Sequence, residues 1–358
     1  MNKKISIILL NYNGKQFNKK CIDSILLQSY QDFEIIFVDN VSTDGSLEEV
    51  EKTYEEEIKI KKIIIIKNKE NTGFTGGNNL GVKYASKKSE YICLLNNDTT
   101  VPKNWLEELI KGIESDGELG AVGSVILDKG YEEEIKNTHF KNKDVFVSTI
   151  LGENAIEKSI IKNGIMYTNV ISGCCVLYKK NIIKKPFPEF YFGYGEDIWL
   201  GLYLLITGYK LAICPKSIVN HFGSGSFGKK PSDLKLFYGN RNQIINFLVF
   251  YKITTIIKLF PLFIINQMSH LFLDVPLKRI KAKIKSWIWI FNNRKKITSL
   301  KNLIQKDRIL SDKNMIYILS HKLSDNIFYV KFNRIKLLLI KTANYIFRLY
   351  IKLFFGIF

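Results

Sequence analysis

Along the first 130 residues, short apolar runs alternate with segments of helical period. The runs Ile5–Leu10, Glu34–Val38, Ile60–Ile66, Tyr91–Leu95 and Leu119–Val125 have the length and branching of strands buried on both faces. Between them, residues 17–28, 46–56, 78–88 and 104–115 place apolar side chains at helical spacing. This order predicts an α/β fold with a Rossmann-like mixed, mostly parallel sheet, whose ligands bind beyond the carboxyl ends of the strands. Polar or glycine-rich stretches follow the strands: NYNG, DNVSTDGS, NKENTGFTGGNN and NNDTT. Residues 128–168 lose the alternation and predict an insertion or a small antiparallel excursion.

The pattern changes after residue 240. Residues 244–275 are strongly apolar but are interrupted by Lys252, Lys258, Pro261 and Asp274, short of the ~20 residues a bilayer span needs. Residues 277–291 align Ile280, Ile284, Trp287 and Phe291 on one helical stripe and Lys278, Lys281 and Lys285 on another. Arg334, Lys341, Arg348 and Lys352 recur amid Leu, Ile and Phe in the last segment. Basic amphipathic helices of this kind suit an anionic membrane interface; the alternative is a helical subdomain packed on the front of the chain. The organisation predicted is 1–250 as a catalytic domain and 251–358 as a basic, mostly helical region associated with membrane.

Charge sharpens that division. Residues 1–228 carry 28 Lys and Arg against 29 Asp and Glu, whereas residues 229–358 carry 25 against 5. No Glu follows Glu196 and no Arg precedes Arg241. The basic end lacks a recognisable nucleic-acid-binding fold, and its aromatic residues sit among aliphatic ones, so nucleic acid is not expected as a partner. Five cysteines without CxxC spacing argue against a disulfide framework or thiolate zinc site and for a reducing compartment. The apolar core of MNKKISIILLNYNG is shorter than a signal-peptide h-region and reads as a first strand.

Several post-strand motifs carry candidate chemistry. Asp39 closes the second strand, where a carboxylate can accept from a base or ribose, or can simply form an Asx-turn. NTGFTGGNNLG (71–81) lets backbone approach a ligand at a helix start, but it is neither GxGxxG nor a Walker A loop. Asp98, after Asn96 and Asn97, is a lone carboxylate ending a strand. It suits Mg²⁺ or Mn²⁺ completed by phosphate and water, or it caps a turn. His221 precedes a Gly/Ser loop and is a candidate metal or phosphate ligand. In FGYGEDIWL, Glu196 and Asp197 face a segment built for burial, so they lie either on an exposed turn or in a cleft that uses their charge.

IILLNYNG, VDNVSTDGS, NTGFTGGNNLG, LLNNDT, SGCCVLYKK, FGYGEDIWL, GYKLAICPKSIVNHFGSGS and FYGNRN, in this order over residues 4–245, resemble family 2 glycosyltransferases of the A-type nucleotide-sugar fold, most of all the rhamnosyltransferase-like branch. The resemblance implies that Asn11, Tyr12 and Asn13 line a base pocket and that Asp39 binds the nucleoside. Asn71, Gly73, Phe74, Gly76, Gly77 and Asn78 would contact nucleoside or diphosphate, with Asn96 and Asn97 beside them. It further implies Asp98 as the metal carboxylate, in a triplet that reads NND, with His221 joining the metal shell. Asp197 would be the catalytic base with Glu196 beside it, and Arg241 would approach the nucleotide sugar. Trp199 and Tyr203 stand where many relatives carry an acidic residue and an arginine.

The activity expected is metal-dependent, inverting transfer of a sugar from a nucleoside-diphosphate donor to a glycan or lipid-linked acceptor, by a cytoplasmic protein peripheral to the membrane. A polyprenyl-phosphate glycosyl synthase and a non-catalytic nucleotide-sugar-binding scaffold are the alternatives.

Overall fold

Ile5, Ile7 and Leu9 turn to one side of the first strand and Ile8 to the other, all fully buried, because the strand lies between parallel neighbours. The computed structural model describes residues 4–128, 144–152, 154–183, 185–222, 233–273, 277–322 and 334–356. The strands are β1 (Ile5–Asn11), β2 (Phe33–Asp39), β3 (Ile63–Lys67), β4 (Tyr91–Asn96), β5 (Thr99–Thr100), β6 (Leu119–Asp128), β7 (Asp144–Ser148), β8 (Asn154–Lys158), β9 (Ile161–Lys162), β10 (Ile165–Thr168), β11 (Cys175–Lys179) and β12 (Lys210–His221). The helices are α1 (Lys15–Leu26), α2 (Ser46–Thr53), α3 (Glu55–Lys59), α4 (Gly73–Tyr84), α5 (Trp105–Glu114), α6 (Glu196–Ile206), α7 (Asp233–Phe250), α8 (Ile253–Leu273), α9 (Leu277–Asn292), α10 (Arg294–Lys306), α11 (Asp312–Ile318) and α12 (Arg334–Phe355).

The main sheet has the order β3-β2-β1-β4-β11-β6-β12-β10-β9, with β5 paired to β12. β1 to β4 are mutually parallel, and β11 runs antiparallel between β4 and β6. The predicted mixed, mostly parallel sheet is therefore present. Two details differ. SGCCVLYKK, read from sequence only as a motif, contributes β11, and its antiparallel course interrupts the simple βα alternation. The third strand begins at Ile63 rather than Ile60, because α3 occupies 55–59 and Lys61 turns the chain through a left-handed φ of 60°. The excursion expected over 128–168 includes a separate β7–β8 hairpin, while β9 and β10 extend the main sheet; residues 129–143 lie outside the described residues.

One face of the sheet packs on α1 and α5, with Trp105 and Leu109 at its centre. The other face packs on α6 and α7, and the same cluster runs on without a break into Phe263, Ile304, Met315, Phe347 and Ile351. The C-terminal helices thus share a core with the sheet. Among the described residues, no helix is long and apolar enough to cross a membrane.

Candidate active site

The tips of β1, β2 and β4 converge through asparagine. Asn11 is fully buried, and its Nδ2 donates to Asp39 Oδ1 at 2.8 Å and Ser46 Oγ at 2.8 Å. Its Oδ1 accepts from Asn18 Nδ2 at 2.9 Å and Asn97 Nδ2 at 3.2 Å. Asp39 also accepts from the Ser42 amide at 3.1 Å. Of the three residues assigned to a base pocket, Asn11 therefore sits beneath Asp39 as a brace. Tyr12 lies on the surface, and Asn13, at a left-handed φ of 53°, accepts from the Thr43 amide at 2.8 Å. Asn97 likewise spends its amide on Asn11 and Asn18, the latter at 2.8 Å, inside the protein.

Asp98 follows at the end of β4. The two-residue strand β5 pairs Thr99 with His221, and this short ladder places the imidazole Nε2 3.3 Å from Asp98 Oδ1. The Asp98 carbonyl also accepts from the Phe222 amide at 2.9 Å. Residues far apart in the chain thus form one polar pair with little exposure.

The carboxylate pair opens α6. Gly195, at φ 82°, provides the left-handed turn before the helix, and Glu196 and Asp197 occupy its first turn, where the helix dipole favours anions. Phe192 and Tyr194 also adopt left-handed φ values of 64° and 65°, a conformation costly for aromatic residues. Asn242 holds them there. It is fully buried, and its Nδ2 donates to Gly193 O at 2.9 Å and Tyr194 O at 2.7 Å. Arg241 reinforces the same turn from the adjacent position. Its Nη2 donates to the carbonyls of Phe190 and Tyr191, and its guanidinium lies 4.4 Å from the Trp289 ring and 4.7 Å from that of Tyr238. The motif resemblance placed Arg241 at the nucleotide sugar; the structure places it in an aromatic box, bracing the turn.

Asp197 Oδ1 accepts from the Gly173 amide at 2.7 Å, and a Cβ at Gly173 would stand 2.9 Å from that oxygen. Glu196 Oε2 is buried and has no hydrogen-bond partner among the described residues. Loss of hydration pushes both carboxyls up. Glu196 rises to about 8, with Asp197's charge as the second cause; Asp197 rises to about 6, restrained by the Gly173 hydrogen bond.

Hydrogen bonds link these parts around one rim. Asn40 Nδ2 donates to Asn71 Oδ1 at 2.8 Å, and Asn71 Oδ1 also accepts from the Gly73 amide at 2.9 Å. Gly73, at φ 69°, would drive a Cβ to within 2.2 Å of Phe192 O, and the Thr75 amide donates to that same carbonyl at 3.3 Å. Phe192 leads through the turn to Asp197 and Gly173; the neighbouring Cys174 carbonyl accepts from the Asn96 amide at 2.9 Å, two residues before Asp98. The candidate positions 39, 71–75, 96–98, 197 and 221 thus share the carboxyl edge of the sheet. Gly77 faces away from this rim, against Leu10 of β1, and Asn78 Nδ2 donates to Phe74 O, so those two serve helix packing. Gly76 abuts Thr72, and Phe74 lies beside Phe187 at 5.9 Å and close to Gly173.

Asn40, Gly173 and Asn242 are site residues that sequence reasoning passed over. Each lies inside a quoted motif (VDN, SGCC, GNRN); Asn40 and Gly173 flank strands, whereas Asn242 lies within α7 and left no positional signal.

Among the described residues, no group of three or more His, Cys, Asp and Glu side chains could enclose a metal ion. The Asp98–His221 pair nevertheless fits a small divalent cation. A carboxylate oxygen and an imidazole nitrogen are suitable donors, and Mg²⁺ characteristically takes one or two protein groups and completes its shell with phosphate and water.

The sequence pattern described as "Glycosyl transferase family 2" matches residues 6–187. A Haemophilus influenzae protein described as an uncharacterized glycosyltransferase is 29% identical over 197 residues, covering 54% of this chain and 57% of that protein. The Escherichia coli UDP-Glc:alpha-D-GlcNAc-diphosphoundecaprenol beta-1,3-glucosyltransferase WfaP is 37% identical over 94 residues, covering 26% of this chain and 35% of that one. The chain thus spans little more than half, or less, of the length of these curated relatives. In three dimensions, residues 1–349 of Staphylococcus aureus TarS, crystallised with UDP, superpose with a TM-score of 0.54 at 18% identity, covering 85% of this chain and 86% of that one. That likeness establishes the fold, and the matched pattern, reaching across half of the sequence, establishes kinship: the chain belongs to glycosyl transferase family 2.

Proposed function

We propose that this protein transfers a sugar, with inversion at the anomeric carbon, from a nucleoside-diphosphate donor to a hydroxyl of a glycan or lipid-linked acceptor in cell-surface polysaccharide or glycolipid synthesis. The observation that carries this reading is Asp197: a carboxylate at a helix start, held by the Gly173 amide on the rim that also bears Asp98 and His221. Support comes from the relatives, since WfaP is named for UDP-glucose and a diphosphoundecaprenol-linked acceptor, and TarS has been crystallised with UDP-GlcNAc. The motif order resembling the rhamnosyltransferase-like branch is the ground for considering deoxysugar donors as well. Residence on the cytoplasmic face of the membrane belongs to the same reading.

In the mechanism, Asp197 accepts the proton of the acceptor hydroxyl while that oxygen bonds to the anomeric carbon. The bond from the anomeric carbon to the diphosphate oxygen breaks, and its electron pair leaves with the nucleoside diphosphate. The Gly173 amide fixes the orientation of the base, and the braced 190–195 turn fixes its height over the sheet. Asp98 and His221 would hold Mg²⁺ or Mn²⁺, which when bound supplies electrostatic stabilisation of the diphosphate; the solved structure of GalNAc-T7 contains UDP, GalNAc and Mn²⁺.

The decisive experiment measures glycosyl transfer, and donor hydrolysis without acceptor, over a panel of nucleotide sugars with Mn²⁺ or Mg²⁺. Failure of every donor to turn over in both assays would overturn the reading in favour of a binding protein. Thermal shift provides a second measurement. The cognate donor should raise Tm in the presence of Mn²⁺, and His221→Ala should raise the Mn²⁺ concentration giving half of that shift by about tenfold or more. An unchanged Mn²⁺ dependence would remove His221 from the cation site.

Glu196 yields a prediction about pH. Activity needs Asp197 ionised, so kcat/KM should fall as pH drops below about 6. Glu196, with a value near 8, keeps its proton across that window. Glu196→Gln should therefore leave the acidic limb of the pH–rate profile nearly in place while abolishing any change in rate near pH 8. A large downward shift of the acidic limb would mean that Glu196 is ionised when Asp197 titrates.

A further inference from the structure

Helix α9 is built inside out. It rests on α7 through Ala282, Ser286 and Ile290, with Ser286 Oγ donating to Phe237 O at 3.0 Å. It also turns Lys283 inward, whose Nζ donates to Gln267 O at 2.8 Å. Four of its large apolar side chains point the other way: Ile284 is 53% exposed, Ile288 55% and Phe291 67%, with Trp287 beside them. On α8, Ile257, Phe260, Ile264 and Met268 are exposed in the same manner. The two helices meet along a groove where Ile264, Met268, Ile280, Ile284 and Trp287 form a continuous apolar lining beside Gln267 and Lys283.

An amphipathic helix that packs on a soluble core buries its apolar stripe. Here Ala282, Lys283, Ser286 and Ile290 of α9 are buried, and the stripe of Ile284, Trp287, Ile288 and Phe291 is left outside. Contiguous apolar surface of this kind marks an interaction site. Its surroundings are cationic: Lys281 and Lys285 are exposed on α9, and the Arg294 guanidinium lies 4.9 Å from the Phe291 ring.

We propose that this face docks on an anionic lipid bilayer, with α8 and α9 lying in the interface, Trp287 and Phe291 entering the boundary between headgroups and acyl chains, and Lys281 and Lys285 meeting lipid phosphates. Charge selects this occupant over a second copy of the chain. Residues 229–358 carry 25 Lys and Arg against 5 Asp, so pairing two such regions would bring like charge together, whereas an anionic surface complements it. The docking deepens the proposed function by naming the surface that meets a membrane-held acceptor; it rests on that reading for the acceptor alone.

The test is flotation of the full chain with vesicles of phosphatidylcholine, with and without about 30% phosphatidylglycerol, an anionic content of the kind that attracts basic segments. The wild-type chain should float with the anionic vesicles and remain below with the neutral ones. W287S/F291S, changing only exposed side chains, should weaken binding by about tenfold or more, and K281E/K285E should do the same. Failure of the wild-type chain to float, or flotation of W287S/F291S at the wild-type level, overturns the proposal. Sedimentation as a dimer that W287S/F291S splits, with no flotation, assigns the face to self-association and overturns it too. Asp197→Asn should float like the wild type, so a failure of the catalytic reading leaves this measurement intact.

Discussion

Replacing Asp197 with Asn should lower kcat by about 10²–10⁴-fold, the usual worth of a positioned general base, with donor KM little changed. The amide retains an oxygen to accept from the Gly173 N–H, so the geometry at the start of α6 is preserved while the proton acceptor is lost. Stability should move in the opposite direction. A carboxyl whose folded value is raised above its unfolded value of about 4 binds its proton more tightly when folded. The folded state therefore loses stability as pH rises through that interval, and the loss is complete above the folded value. For Asp197 this window runs from about 4 to about 6. Asp197→Asn should thus have a higher Tm than the wild type at pH 8, and the two should converge near pH 4. A dead variant that is also less stable at pH 8 would point to misfolding, and an active variant would remove Asp197 from the base role.

Arg308→Ala should destabilise the protein by about 3–5 kcal/mol, the cost of leaving a buried partner charge unpaired. Arg308 Nη1 lies 2.5 Å from Asp312 Oδ1, and both side chains are buried. Its Nη2 donates to the Phe250 carbonyl at the end of α7, and Asp312 Oδ2 accepts from the Lys252 amide at 2.9 Å. The pair therefore ties α11 to the junction of α7 and α8. Urea unfolding should show a lower midpoint with an unchanged m-value. A change of less than about 1 kcal/mol would class the pair with surface ion pairs.

Strand tips were readable from sequence because a buried strand is an uninterrupted apolar run, and the polar residue ending it marks the edge: Asp39 ends β2, and Asp98 lies two residues past Asn96, which ends β4. The pairing of Asp98 with His221 was implied by motif resemblance, but its cause, the two-residue β5 ladder, is too short to leave a periodic signal. The surroundings of Arg241 and Trp199 were not legible in the sequence for a common reason. Their side chains answer to residues elsewhere in the chain: Trp289 and the 190–191 carbonyls for Arg241, and Tyr191 and Phe250, with ring centroids 5.3 and 4.8 Å away, for Trp199. Tyr203 follows suit, its hydroxyl donating to Asp307 at 3.4 Å. At α9 the sequence showed the Ile284, Trp287 and Phe291 stripe but not which side of the helix packs on α7, because that depends on residues distant in the chain.

The core shared by the sheet and the C-terminal helices makes the tail non-modular. A chimera spliced at residue 250 would inherit an open seam where Ile304, Met315, Phe347 and Ile351 belong, and the end of its Glu-Asp helix would lose Asp307 against Tyr203 and the Ile309 and Leu310 amides against the Ile206 carbonyl. Grafting between relatives should succeed only when the helix bearing the Glu-Asp pair and the tail are exchanged as a matched set, so sequence drift in one half is constrained by the other.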